Sequence, residues 1–99
     1  MRSELNKQPG EKFPVSVDFS AANEALNAGS SAVTVFDSAG ADVTGTILVN
    51  SGLQNNDTGM WARIQGGSSG ETYKVSFRAV TITNADVYEH DVFVKVREI

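Results

Sequence analysis

The chain has no cysteine, which excludes a disulfide framework and any thiolate metal centre. It has one histidine, His90. General-base catalysis by that residue would need a nucleophile partner, and none can be nominated. Basic residues are few and scattered: eight Lys and Arg against twelve Asp and Glu, for a net charge of −4. A nucleic-acid interface needs a basic cluster, so no nucleic-acid partner is expected. No apolar run approaches membrane-spanning length, which excludes a spanning helix. The opening residues MRSELNKQPGEK lack the apolar segment of a secretion signal, so synthesis and retention in the cytoplasm are expected.

What remains is a single-domain composition. Ninety-nine residues, 40% of them hydrophobic and 20% charged, suffice for one core that hides roughly two-thirds of the unfolded surface. Residues 1–12 are polar, contain the breaker Pro9-Gly10, and read as a flexible N-terminal arm. Residues 13–99 read as one domain.

Within that domain the dominant signal is period two. FPVSVDF sets Phe13, Val15, Val17 and Phe19 against Pro14, Ser16 and Asp18, a half-buried strand. Pro14 lacks a ladder donor and suits an edge strand. SAVTVFD places Val33 and Val35 on one face. MWARIQ sets Met60, Ala62 and Ile64 against Trp61, Arg63 and Gln65. YKVSFRAVTI puts Tyr73, Val75, Phe77 and Ala79 on one face, and the last run turns Val92, Val94 and Val96 inward. In DVTGTILVN, Gly45 marks a candidate bulge. Only SAANEALNAGSS is compatible with helix, and it holds at most two turns. Six or seven strands with turn signals at short intervals give an all-β sandwich.

The stretch GGSSG, Gly66 to Gly70, raises the question of phosphate binding. A phosphate-binding loop needs a Lys-Ser or Lys-Thr pair and a following helix whose N-terminus meets the anion. Here a strand follows instead. In immunoglobulin-like sandwiches a Tyr near the start of strand F bonds back to the chain just upstream. Gly66, Gly67, Gly70 and Tyr73 fit such a structural corner, the glycines supplying positive φ.

These residues carry a family resemblance. The run IQGGSSGETYKVSFRAVT is similar to the E–F corner of fibronectin-III and bacterial Ig-like domains. With FPVSVDFS, VTVFDSAGADVT and HDVFVKVREI, the layout resembles small phage- and prophage-encoded Ig-like proteins. Where many of those carry Trp and Leu before the glycine corner, this chain has Arg63 and Ile64. The resemblance implies an immunoglobulin-like β-sandwich of about seven antiparallel strands. It also implies a non-enzymatic virion protein of head, neck or tail that works through protein–protein contacts, with a partner in the phage particle or by self-association. Such a protein would assemble in the bacterial cytoplasm and end in the virion.

No cofactor is implied. Asp37, Asp42 and Asp57 lie in oxygen-rich turns, but their spacing does not match a calcium loop and such residues usually bond their own backbone. The candidate interaction residues are aromatic. If Ile64 faces the core, Trp61 and Arg63 face outward; a bulge would reverse that parity and bury Trp61. Phe36 faces outward if Val33 and Val35 face inward. If their strands take the places of neighbours B and E, Phe36 and Trp61 lie side by side, the kind of surface that interfaces favour. Phe93 is a further outward candidate on the last strand. Lys95 and Arg97 read as guards on a strand that would otherwise expose an edge. The alternative function is a carbohydrate-binding or adhesion module in which Trp61 stacks on a sugar.

Overall fold

A computed structural model describes residues 2–98; Met1 and Ile99, the outermost residues of the expected arm and domain, lie outside them. Seven strands are present among the described residues: β1 (Arg2–Lys7), β2 (Lys12–Asp18), β3 (Ala32–Phe36), β4 (Leu48–Gln54), β5 (Gly59–Gln65), β6 (Thr72–Val80) and β7 (Val87–Val96). They form two packed sheets, one in the order β1-β7-β6-β3 and the other β2-β5-β4. Helix is confined to single turns at Ser20–Ala22 and Thr44–Ile47.

The period-two runs fill the space between the sheets. Val15 and Val17 of β2, Val33 and Val35 of β3, and Met60, Ala62 and Ile64 of β5 are buried. They meet Tyr73, Val75, Phe77 and Ala79 of β6 and Val92, Val94 and Val96 of β7. Phe77 is fully buried at the centre; hiding a side chain of that size stabilises by about 1.5–3 kcal/mol. Pro14 sits on β2, an edge of the three-stranded sheet, where a missing N–H costs no ladder bond.

The structure differs from the sequence expectations in several places. Residues 2–7, expected within a flexible arm, form β1 and pair with β7 from Arg2↔Asp91 to Lys7↔Val96. That pairing is parallel, so the sandwich is not wholly antiparallel. It also removes most of the expected free edge: β7 lies between β1 and β6, and Lys95 forms an ion pair with Glu4 at 3.0 Å. The irregularity near Gly45 is a helical turn, and the bulge falls at Val49, between the pairs Leu48↔Ile64 and Asn50↔Arg63.

A further difference concerns the aromatics. With β1 counted, Phe36 lies on the third strand and not the second. Its sheet is therefore the one opposite Trp61, and the two rings do not lie side by side. One overlooked strand changes every neighbour assignment downstream of it.

Candidate functional site

On the outer face of the four-stranded sheet, register alone aligns a row. Phe36 pairs with Lys74, Lys74 with Phe93, and Phe93 with Glu4. The Lys74 ammonium lies 5.0 Å from the Phe36 ring centroid, a cation–π distance. Beside the row is an open groove of about 470 Å³ lined by Phe36, Asp37, Ser38, Gly40, Thr72, Lys74 and Phe93. Its wall is the turn after β3. Asp37 Oδ1 accepts from the N–H groups of Ala39 and Ala41 at 3.0 and 2.9 Å, and Gly40 takes φ +86°. The Ser38 hydroxyl donates to the Glu71 carboxylate, tying this turn to the loop before β6.

Trp61 and Arg63 are half-buried on the outer face of the other sheet. Trp61 pairs with Ser16 on β2 and Gly52 on β4. A Cβ at Gly52 would come within 3.1 Å of Trp61 Nε1, so the absent side chain is what lets the indole rest on the β4 backbone. The four aromatic and basic candidates therefore divide between two opposite faces, Phe36 with Phe93 and Trp61 with Arg63.

The glycine stretch builds the end of the molecule where β5 crosses to β6. Gly66, Gly67 and Gly70 take φ of +62°, +98° and +91°, values that L side chains resist. Ser68 N–H donates to the Tyr73 hydroxyl at 2.9 Å, while the Tyr73 ring is buried. A Cβ on Gly67 would come within 3.0 Å of both Tyr73 Cε2 and Val96 Cγ2. No sequence signal pointed to Lys7, which is 3% exposed. Its ammonium donates to the carbonyls of Gly66 at 2.6 Å, Gln8 at 2.8 Å and Pro9 at 3.4 Å. Burial pushes its pKa down, with Glu11 opposing. A lysine beside a Pro-Gly turn reads as solvent-exposed, and only the fold folds it inward.

The chain matches the family model described as podophage GP4 fiber-tail adaptor protein gp77 over residues 7–95. It belongs to that family. No curated protein and no solved structure matches it.

In this member of the fiber-tail adaptor family, charge is unevenly placed. Beyond the Ser76–Asp91 pair, toward the β6–β7 turn, lie Asp18, Glu24, Asp57, Asp86 and Glu89 with Arg78 as the sole described base. Set against that one described base, the five carboxylates make this half acidic. Two of these carboxylates serve the turns. Asp18 accepts from Ser20 N–H at 2.8 Å, and Glu24 accepts from Thr83 N–H at 2.8 Å and Asn84 Nδ2 at 3.2 Å. Those backbone bonds hold both carboxyls below their ordinary pKa.

The same half carries the exposed apolar residues Ile82, Val87 and Tyr88. The other aspartates act locally: Asp42 accepts from the Thr44 hydroxyl at 2.6 Å and its N–H at 2.9 Å, which lowers its pKa. Among the described residues no group of three acids or histidines could hold a metal ion.

His90 faces inward and is buried. Its Nε2 is hydrogen-bonded to the Ser3 hydroxyl at 2.8 Å, while its Nδ1 is buried with no partner among the described residues. Desolvation pushes its pKa below the ordinary 6.5, Asp91 opposing. It joins β7 to β1, and among the described residues no nucleophile-type side chain other than Ser3 is bonded to it.

Proposed function

We propose that this protein is a non-enzymatic structural component of a phage tail, acting as a rigid adaptor through protein–protein contacts. The observation that carries the reading is the family match over residues 7–95. It favours the tail over the head or neck. The proposed fold is immunoglobulin-like. In that fold strands B, E and D face C, F and G, and here β2-β5-β4 faces β3-β6-β7 with β1 added beside β7. Tyr73, at the start of β6 with its hydroxyl bonded back to Ser68, stands where the tyrosine corner of that fold belongs.

The mechanism is presentation. A sandwich 43 Å long and about half as wide holds separate surfaces at fixed spacing: the Phe36–Lys74–Phe93 row on one face, Trp61 with Arg63 on the other, and an acidic apolar end. The protein partners are components of the particle, in which the chain ends as a virion protein. A sugar-stacking role for Trp61 is less well supported, because its indole already rests against Gly52.

Mass spectrometry of purified particles tests the reading. The protein is expected in stoichiometric amounts, and deletion of its gene is expected to yield particles that lack fibers. Fully fibered, infectious particles from the deletion strain would refute the adaptor role.

A further inference from the structure

The outer strands of the two sheets are not equally defended. Among the described residues they are β1 and β3 in one sheet and β2 and β4 in the other. An outer strand offers unpaired backbone groups to a further strand unless charge, proline or a covering segment prevents it. β1 carries Glu4, ion-paired to Lys95, and β2 carries Lys12, Pro14 and Asp18. β3 is covered by the segment after it: Val43 N–H donates to the Val35 carbonyl, and Val35 N–H to the Thr44 hydroxyl, each at 2.9 Å. β4 has none of these defences. From Val43 to Asn56 runs the longest stretch of the chain without Asp, Glu, Lys or Arg. The bulge at Val49 interrupts the start of β4 and leaves Asn50–Gln54 in regular register with β5. The strands nearest the two chain ends, β1 and β7, lie in the other sheet.

Three features beside this edge are unfinished. Val49, 40% exposed, is the one exposed large apolar side chain among the described residues outside the β6–β7 end. Ser51 is in register with the buried Ala62, on the inner face, yet is itself exposed. The Trp61 indole lies over Gly52 with Nε1 nearest it, and no described residue accepts a hydrogen bond from that N–H.

We propose that β4 pairs antiparallel with β4 of a second copy of this chain, about a two-fold axis at Gly52, joining two three-stranded sheets into one of six. A neutral strand has no charge with which to select a charged foreign segment, whereas its own copy matches it residue for residue. Asn50 of each copy faces Gln54 of the other, and these side-chain amides can donate to and accept from each other. Ser51 faces Leu53, which closes the open inner row. Gly52 faces Gly52, so the two indoles approach over a surface without side chains, and the flanking amides offer acceptors to the Trp61 N–H. Antiparallel pairing sends the two Asp57 turns to opposite ends of the joined sheet, which keeps those carboxylates apart. Five residue pairs bury less than the roughly 1,200 Å² of a stable interface, so a Kd between about 1 μM and 1 mM is expected. The pairing is a property of the isolated chain and does not depend on the tail role.

Sedimentation equilibrium of the full chain across that concentration range is the test. A monomer–dimer equilibrium that added salt does not weaken is expected, since no ion pair contributes to it. Along the same curve Trp61 fluorescence should shift, and amide exchange should slow within Asn50–Gln54 but not within β2. Asn50→Lys/Gln54→Lys sets Lys against Lys and should weaken the dimer about tenfold. Asn50→Lys/Gln54→Glu changes the same two positions but sets Lys against Glu, and should restore association in a form that salt weakens. Both variants alter exposed or half-exposed side chains and should unfold as cooperatively as the unsubstituted chain. A monomer throughout the range, or a dimer that the Lys/Lys variant retains, would overturn the proposal. Failure of the Lys/Glu variant to associate would remove the two-fold at Gly52 and the proposal with it. Slowed exchange in β4 only on addition of another particle protein would give the edge to a foreign strand and likewise overturn it.

Discussion

The two ends of the sandwich solve opposite problems. At the end where β5 crosses to β6, polar groups are turned inward and satisfied: the Lys7 ammonium by three carbonyls and the Tyr73 hydroxyl by Ser68 N–H. At the β6–β7 end, apolar side chains are turned outward and acids collect around them. The first arrangement is costly to perturb because the buried Lys7 and Tyr73 side chains have their polar ends satisfied by these bonds. The second is cheap to perturb for folding. The comparison therefore separates residues that maintain the shape from residues free to serve contact.

Substitutions can break that comparison, beginning with the largest effect. Gly67→Ala places a Cβ against Tyr73 and Val96 at 3.0 Å and at φ +98°, and should cost about 2–3 kcal/mol in urea unfolding. A loss under half that size would show that the crossing is pliable. Tyr73→Phe keeps the ring and removes the acceptor for Ser68 N–H; a loss of about 0.5–1.5 kcal/mol is expected. An unchanged midpoint would mean that the hydroxyl bond contributes nothing.

His90, between the two ends, gives a pH signature. Its folded pKa is lowered below 6.5, so the unfolded chain binds the proton more readily. Stability should therefore fall as pH drops through 6.5 toward the folded value. His90→Gln should flatten the unfolding free energy in that window. The lowered carboxyls of Asp18, Glu24 and Asp42 act further down, below the ordinary carboxylate range. An equally steep slope in the variant would assign the pH dependence elsewhere. Smallest of all, Ile82→Ser, at a side chain 58% exposed, should change stability by no more than about 0.5 kcal/mol. A larger loss would mean that the charged end is also part of the core.

The sequence was most legible where one strand face is apolar throughout. The alternation in β2, β3, β5, β6 and β7 reports burial directly, because side chains on successive residues point to opposite faces. β1 was illegible for the same reason. Of its inward positions Ser3, Leu5 and Lys7, only Leu5 is apolar, so no period appears, and its strand state comes from pairing with a segment some ninety residues away. That omission moved Phe36 to the wrong sheet. The helical turn at Thr44–Ile47 was hidden because threonine, glycine and isoleucine read as strand with an interruption. Among the candidate residues, parity could say which side chains leave the core. It could not say which share a face, since that depends on pairing between distant strands. The acidic end was invisible for a related reason: Asp18, Glu24, Asp57, Asp86 and Glu89 are dispersed in the chain and gathered only by the turns.

The parallel pairing of β1 with β7 has a mechanical consequence. The two strands run the same way, so tension applied to the start of β1 and the end of β7 slides one strand along the other. Six residue pairs, Arg2↔Asp91 through Lys7↔Val96, then bear the load together, whereas a hairpin pulled at its open end would release its bonds one by one. The residues that the sequence suggests as a loose arm thus form the seam that such tension would load in shear.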